Sequence, residues 1–201
     1  MHENSMLMFE KYALPLFRGV RGVLEIGPDN IESSSYRRKV NDPSLRWDTL
    51  DIYAHPSLTF TAVSEYEFPI PSDEYDIVLC GQVLEHVRKV WRWLPELNRV
   101  CKPSGHVVVI APASWPYHEA PIDCWRVYAE GMTALMEDSG LEVLTSRSET
   151  LEGRPGRRFI PGRSLSYMGW KGKTFYGLLN LLGLPVERSV DTIGIGRKLG
   201  A

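Results

Sequence analysis

The sequence lacks an excess of charge of either sign. It has 23 basic and 25 acidic side chains among 201 residues, a formal net charge of −2. Proteins that hold nucleic acid through its phosphates need concentrated positive charge to release counterions. We therefore expect no nucleic acid partner.

Cysteine is also scarce, and long apolar runs are missing. The three cysteines, Cys80, Cys101 and Cys124, are an odd number without a C-x-x-C pair, which argues against a disulfide framework and against a zinc site. Neither an apolar run long enough to span a bilayer nor a basic leader with an apolar segment is present. We therefore expect a cytoplasmic protein without a membrane span.

The remaining composition is that of one globular domain covering residues 1–201. Hydrophobic residues make up 43% and charged residues 24% of the chain, enough apolar side chains for one sizeable core. Short apolar runs alternate with helical patterns, and the most apolar runs are of the kind that parallel strands show when both faces are buried. The predicted strands are 20–26, 47–52, 58–63, 75–80, 106–110, 141–144 and 191–197, the last of which could return antiparallel.

Three segments show helical periodicity. Apolar residues recur over 6–14, over 83–100 and over 128–139, where Gly140 stands in the position of a C-terminal cap. Between about 150 and 190 the pattern weakens, and basic side chains outnumber acidic ones at 150–175. We interpret this region as a basic, loop-rich insertion that could serve as a substrate clamp, a homodimer contact or a solvated surface.

A cofactor site is predicted where the first two strands end. In doubly wound sheets a nucleotide-type cofactor lies beyond the carboxyl ends of the strands, where a glycine lets the backbone come close and an acid binds the ribose hydroxyls. Glu25 and Gly27 end the first strand, and Asp51 ends the second. These three residues in this order are more specific evidence for a cofactor site than a lone glycine would be.

Four stretches of the chain carry a family resemblance. They read VLEIGPDN at 23–30, LDIY at 50–53, FPIPSDEYDIVLCGQVLEHV at 68–87 and LNRVCKPSGHVVVIAP at 97–112. Together they resemble the class I S-adenosylmethionine-dependent methyltransferases over about residues 5–150. The resemblance implies an α/β fold, a Rossmann-like, doubly wound, seven-stranded, mostly parallel sheet with an antiparallel last strand, and S-adenosylmethionine as the cofactor.

The same resemblance implies roles for five residues. Glu25 and Gly27 would meet the methionine and ribose, Asp51 would bind the ribose hydroxyls, Ile52 would pack on the adenine and Gln82 would line the methionine end. The chain departs from the family at 28–30, where Pro-Asp-Asn replaces further glycines, and near the adenine, where Ser64 or Glu65 replaces an aspartate. These departures weaken individual contacts to the cofactor.

Methyl transfer to a hydroxyl requires a base that takes the proton. Two histidines follow predicted strands, His86 after the fourth and His118 after the fifth, and histidine titrates near neutral pH. We predict His118 as the base, His86 as the second candidate and Asp123 as the carboxylate that orients it.

The loop at 112–126 is rich in groups that recognise polar ligands. Flat aromatic faces beside acids and bases are a common way to hold a sugar ring, although such aromatics can also fold a loop onto the core. The stretch HEAPIDCWRVYAEGM resembles bacterial methyltransferases of glycans, and the chain is similar in size and plan to small mycobacterial enzymes that methylate 3-O-methylmannosides. We predict a sugar hydroxyl acceptor, with a methylated mannoside of polysaccharide biosynthesis as one candidate, bound by Trp115, Tyr117, Glu119, Trp125 and Arg126.

Several alternatives stay open. The acceptor could be a small lipid, a quinone or an amine, or the chain could be a non-catalytic cofactor-binding protein. A nicotinamide-dependent oxidoreductase would need the complete G-x-G-x-x-G fingerprint, which the chain lacks. Magnesium could orient a sugar diol, and the side chains available for such a site are Glu85, His86, His118, Glu119 and Asp123.

Overall fold

A single mixed sheet organises the chain. The computed structural model describes residues 3–115, 117–118, 121–152, 170–182 and 189–200. Its seven strands lie in the order β3-β2-β1-β4-β5-β7-β6, and β7 is antiparallel to both β5 and β6. The predicted α/β sheet with an antiparallel last strand is confirmed. The strands are β1 Gly22–Ile26, β2 Arg46–Asp51, β3 Phe60–Thr61, β4 Tyr75–Gly81, β5 Cys101–Ser114, β6 Leu141–Glu149 and β7 Val190–Lys198.

Helices cover both faces of the sheet. They are α1 Glu3–Met8, α2 Ser35–Val40, α3 Val90–Val100, α4 Ala129–Asp138 and α5 Trp170–Leu181. The α1 chain continues through a π-helical turn and a 3₁₀ turn as far as Phe17, beyond the predicted end near Pro15. Gly140 follows α4 with φ +82°, as the predicted cap requires. No helix in these described ranges is both long and apolar enough to cross a membrane.

Alternate residues of the central strands belong to two separate apolar clusters. Val78 and Val107 belong to the cluster covered by α3 and α4. Their strand neighbours Ile77 and Val108 point the other way, into the cluster that contains Phe9. Side chains of successive strand residues face opposite sides of a sheet, so β4 and β5 are buried on both. This double burial explains their continuous apolar runs in the sequence.

The helix predicted over 83–100 is interrupted. A 3₁₀ turn at Leu84–His86 comes first, and α3 begins only at Val90 because Val87 is extended, with ψ 120°. Trp93, Leu94 and Leu97 of α3 are buried against the sheet. The helical periodicity therefore predicted the buried face of α3 correctly. The interruption places Glu85 and His86 in a separate turn just after the carboxyl end of β4.

Other boundaries also differ from the sequence-based predictions. The strand predicted over 58–63 is reduced to the two residues of β3, whereas β5 and β6 extend well beyond 106–110 and 141–144. Helix α2 was not predicted, and α5 lies within the region interpreted as loop-rich. Residues 153–169 and 183–188 of the predicted insertion lie outside the described residues.

Candidate active site

The predicted cofactor residues lie on neighbouring strands at one edge of the sheet. Strand β1 lies between β2 and β4 and is parallel to both. The Gly27 amide donates to the Leu50 carbonyl oxygen at 2.9 Å, and the Gln82 amide donates to the Ile110 carbonyl oxygen at 2.7 Å. The structure therefore brings Gly27, Asp51 and Gln82 to the shared carboxyl end of β1, β2 and β4.

Gly27 allows the chain to turn sharply at the end of β1. Its φ is +63°, and a Cβ atom at this position would lie 2.5 Å from Cγ2 of Val83. Any side chain would both strain the backbone and displace Val83, which belongs to the loop after β4. The glycine is thus required by close contact between two loops, even though Pro28 and Asp29 interrupt the glycine-rich pattern.

Substitution of Gly27 by alanine should destabilise the fold more than the same substitution at Gly19. Both glycines have positive φ, but a Cβ at Gly19 would meet nothing within 4 Å, so Gly19→Ala measures the backbone cost alone, about 1–2 kcal/mol. Crowding at Val83 should add about 1–3 kcal/mol. Urea unfolding of both variants measures the difference. Equal losses of stability would show that Val83 moves aside freely.

Glu25 is buried and holds β1, β2 and the start of α2 together. Its Oε2 accepts hydrogen bonds from Oγ of Ser34 at 2.5 Å and from Nε1 of Trp47 at 2.7 Å. Oγ of Ser34 also caps α2 by accepting from the Arg37 amide. Burial is the largest influence on the carboxyl group and raises its pKa to about 7. Besides the cofactor role that the resemblance implies, Glu25 shapes the loop after β1.

Glu25→Gln should remove a pH dependence of stability. The pKa is raised from 4.5 to about 7 in the folded chain, so the stabilisation associated with the protonated carboxyl is complete below pH 4.5 and is lost as the pH rises through 7. This shift corresponds to about 3 kcal/mol. Urea unfolding at pH 5 and pH 8 should show wild type losing stability relative to the glutamine variant. Parallel stability curves for the two proteins would contradict the assignment.

Asp51 and Ile52 lie at the exposed end of β2. Oδ1 of Asp51 accepts from the Tyr53 amide at 3.0 Å, which turns the chain immediately after the strand. The next two side chains are open to solvent, with Ile52 exposed by 42% and Tyr53 by 60%. An apolar surface next to a carboxylate is the arrangement that a nucleoside needs, with the carboxylate at the ribose and the apolar surface at the base.

Behind Gln82 lies a buried polar network that the sequence did not reveal. Nε2 of Gln82 donates to Oδ1 of Asp191 at 3.0 Å, and Nδ2 of Asn4 donates to Oδ2 of the same carboxylate at 2.8 Å. Asn4 and Asp191 are fully buried, and Gln82 has φ +62°. The network ties the first helix and the last strand to the loop after β4, and their separation in sequence gave no signal of it.

The three predicted catalytic residues come together at the carboxyl ends of β4 and β5. The rings of His86 and His118 meet edge to face, with centroids 5.1 Å apart. Nδ1 of His118 lies 3.4 Å from Oδ2 of Asp123, and Arg126 pairs with both oxygens of this carboxylate. The Arg126 partner and the His118 amide help to hold the pKa of Asp123 below its usual range, against the opposing effect of burial. An ionised Asp123 can therefore orient the His118 ring.

Glu85 is the residue of this site that sequence reasoning undervalued. Its side chain is fully buried, and neither carboxylate oxygen has a hydrogen-bond partner among the residues that the structure describes. Oε1 lies 3.9 Å from Nε2 of His86, and burial raises the pKa of Glu85 to about 8. A buried carboxyl group without hydrogen bonds is costly for a fold. The Leu-Glu-His-Val motif was its only sequence signal.

Among the predicted substrate-binding residues, some hold the loop against its neighbours and others are exposed. Trp125 holds the loop in place, since its Nε1 donates to the Val87 carbonyl oxygen at 2.8 Å and its ring contacts Trp91. Arg126 holds Asp123 and also donates to the Trp115 carbonyl oxygen at 3.0 Å. Tyr117 is exposed by 67% at the loop tip. Glu119 lies outside the described residues.

Comparison with known proteins adds an independent line of evidence. Residues 28–109 match the family described as "Methyltransferase domain", and no curated protein matches the chain. Among solved structures, an S-adenosylmethionine-dependent methyltransferase from Archaeoglobus fulgidus is 17% identical, with a TM-score of 0.60 over 96% of this chain and 92% of that one.

Two further structures share the fold at low identity. One is a complex between the Haloferax volcanii Trm112 methyltransferase activator and a methyltransferase, with 17% identity and a TM-score of 0.59 over 98% of this chain and 94% of that one. The other is Haemonchus contortus phosphoethanolamine N-methyltransferase 2 with S-adenosyl-L-methionine, with 10% identity and a TM-score of 0.59 over 98% of this chain and 52% of that one. The match at residues 28–109 indicates a methyltransferase domain, and the chain as a whole shares its fold with these solved methyltransferase structures.

Proposed function

We propose that this chain is an S-adenosylmethionine-dependent methyltransferase that acts on a sugar hydroxyl, with a methylated mannoside of polysaccharide biosynthesis as the preferred acceptor. The observation that carries the proposal is the cluster of His86, His118 and Asp123 at the edge of the sheet where Gly27 and Asp51 lie. A hydroxyl acceptor must lose its proton, and this cluster supplies groups that can take it. An amine acceptor with a free lone pair needs no such base.

The bonding changes are those of a single displacement. A lone pair of the acceptor oxygen attacks the methyl carbon, the carbon–sulfur bond breaks, and its electron pair stays on sulfur as S-adenosylhomocysteine forms. The hydroxyl proton passes to His118, whose imidazolium is stabilised by Asp123 at 3.4 Å. Alignment of the oxygen behind the methyl group supplies much of the rate enhancement. His86 stands next to His118 as the second proton acceptor.

The cofactor is proposed to occupy the edge formed by β1, β2 and β4. Asp51 accepts from the ribose hydroxyls, the exposed Ile52 side chain packs on the adenine, and Gln82 lines the methionine end. Glu25 and Gly27 set the course of the loop beneath the methionine and ribose. This placement uses the carboxyl ends of the strands, as nucleotide-type ligands of doubly wound sheets do.

The loop after β5 supports a polar acceptor over a lipid or quinone. Its tip presents Tyr117, and Tyr128 at the other end of the loop is exposed by 60%. Between them lie His118 and the Asp123–Arg126 ion pair. Aromatic rings that flank charged and hydrogen-bonding groups suit the apolar faces and hydroxyl rim of a sugar.

An acceptor screen tests this proposal. The purified chain with S-adenosylmethionine is incubated with methylated and unmethylated mannosides and, in parallel, with apolar phenols and small amines, and the release of S-adenosylhomocysteine is measured. We expect turnover on the mannosides. Turnover on phenols or amines alone would refute the sugar assignment. Tight binding of S-adenosylhomocysteine without turnover on any acceptor would favour a non-catalytic cofactor-binding protein.

A further inference from the structure

We propose that Glu85, His86 and His118 bind one divalent transition-metal cation of the Zn²⁺ type. Each side chain offers one ligand atom, and these three atoms lie within 4.8 Å of one another. Tetrahedral zinc ligands stand closer together than this, so modest rotations of the side chains would close the site. The inference concerns cation binding and goes beyond the proposed reaction, in which His118 acts as a base only while no cation occupies its Nε2 lone pair.

The buried carboxylate of Glu85 is the first independent sign of a ligand. Both of its oxygens are buried, and within the described part of the chain neither makes a hydrogen bond. Its backbone is well held, since the Glu85 carbonyl oxygen accepts from the Cys124 amide at 2.7 Å. The side chain is thus fixed in a place where protein groups do not satisfy it. A cation would do so, because buried carboxylates are normally paired or bound to metal.

The orientation of the two imidazoles is the second sign. The Ile122 carbonyl oxygen accepts a hydrogen bond from the Nδ1–H of His86, so the ligating lone pair of this ring is on Nε2. Nε2 is the atom that lies 3.9 Å from Glu85. Metal-binding histidines characteristically use one nitrogen for the metal and donate the other N–H to a carbonyl or carboxylate.

His118 shows the same arrangement with a carboxylate. Oδ2 of Asp123 lies 3.4 Å from Nδ1 of His118, and Arg126 holds Asp123 in place. The carboxylate favours the tautomer with the proton on Nδ1, so that Nε2 carries the lone pair. Carboxylate–histidine–metal triads fix a ligand ring in this way. A backbone carbonyl oxygen therefore orients the His86 ring, and a side-chain carboxylate orients the His118 ring.

The ligand set selects the class of cation. Two imidazoles and one carboxylate suit zinc, cobalt or nickel, whereas magnesium prefers oxygen ligands and keeps several waters. Three protein ligands also leave a coordination position open, as in zinc sites that act on substrates. The cysteine count argued against a zinc site, but it addressed only sites built from thiolates. The cation proposed for this site is therefore softer than the magnesium considered from the sequence.

Cation binding should be measured directly on the whole chain, without an acceptor. Protein stripped with EDTA is titrated with Zn²⁺ by calorimetry and with Co²⁺ by visible absorption, which reports tetrahedral coordination. We expect one equivalent of each to bind and Mg²⁺ not to compete. His118→Asn should weaken Zn²⁺ binding by at least about 100-fold, and Asp123→Asn, which only orients His118, by about 10–100-fold.

His106→Asn is the matched control, because His106 lies in β5 opposite Arg197, toward the other end of the sheet. It should bind Zn²⁺ like wild type. Absence of Zn²⁺ binding by wild type would overturn the inference, and so would unchanged binding by His118→Asn. Far-ultraviolet circular dichroism checks that each variant is folded. Since no acceptor is present, a negative result here leaves the acceptor screen unaffected, and failure of that screen leaves the cation measurement intact.

Discussion

His118→Ala should lower the turnover number on a mannoside acceptor by about 10²–10⁴-fold, the range in which a positioned proton-transfer group contributes. The affinity for S-adenosylhomocysteine should change little, because His118 lies in the loop after β5 and not among the residues proposed to bind the cofactor. Steady-state kinetics at saturating acceptor, together with calorimetry of S-adenosylhomocysteine, separates the two effects. Unchanged turnover would remove His118 from the reaction.

Two comparisons sharpen this experiment. His106→Ala removes an imidazole remote from the cluster and should leave turnover near the wild-type value. Imidazole added to His118→Ala should restore part of the lost activity if His118 acts as a base. If His118 acts chiefly as a metal ligand, wild type should instead lose activity with EDTA and regain it with Zn²⁺. Wild type that resists EDTA and a variant that imidazole cannot rescue would together contradict both roles.

Asp51→Ala should weaken S-adenosylhomocysteine binding by about 100-fold. A carboxylate that accepts from two ribose hydroxyls makes hydrogen bonds worth about 1.5–3 kcal/mol each, and a loss of about 2.8 kcal/mol is a hundredfold change in affinity. Asp51→Asn retains one acceptor oxygen and should lose about tenfold. Calorimetry measures both affinities, and turnover at saturating cofactor should fall much less than affinity.

The control for Asp51 is Asp138→Ala, which removes an exposed carboxylate at the end of α4. It corrects for the general effect of losing one negative charge. Wild-type affinity in Asp51→Ala would place the ribose elsewhere and would undermine the whole proposed arrangement at β1, β2 and β4. A large loss in Asp51→Ala beside an unaffected Asp138→Ala is the expected pattern.

The centre of the sheet could be predicted because β4 and β5 are buried on both faces. Their continuous apolar runs are typical of strands in a parallel sheet covered on both sides. The length of strand β3 was overestimated, because an apolar pattern does not reveal how many residues of a strand will pair with a neighbouring strand. The interruption before α3 was missed for a related reason, since the helical period continues through Leu84 and Val87 although Val87 is extended.

The residue types in the sequence predicted which side chains lie at the candidate site better than they predicted which residues those side chains contact. Histidines after strands and an acid in the same loop indicated His86, His118 and Asp123. Nothing local indicated that Trp125 would face Val87 and Trp91, because a tryptophan in a loop suits a sugar and a core equally well. The state of Glu85 was also hidden, since burial without a hydrogen bond follows from the packing of three segments that are distant in sequence.

The loop that carries His118 is joined to the turn that carries His86 by backbone-directed hydrogen bonds from Cys124 and Trp125. The Cys124 amide bonds to the Glu85 carbonyl oxygen, and the Trp125 indole bonds to the Val87 carbonyl oxygen. The Tyr117 side chain at the tip is largely exposed. Mutations at the tip can therefore alter which acceptor is admitted while the proton-handling groups stay in place. Acceptor preference in this protein should consequently diverge faster during evolution, and yield more readily to engineering, than the methyl-transfer step itself.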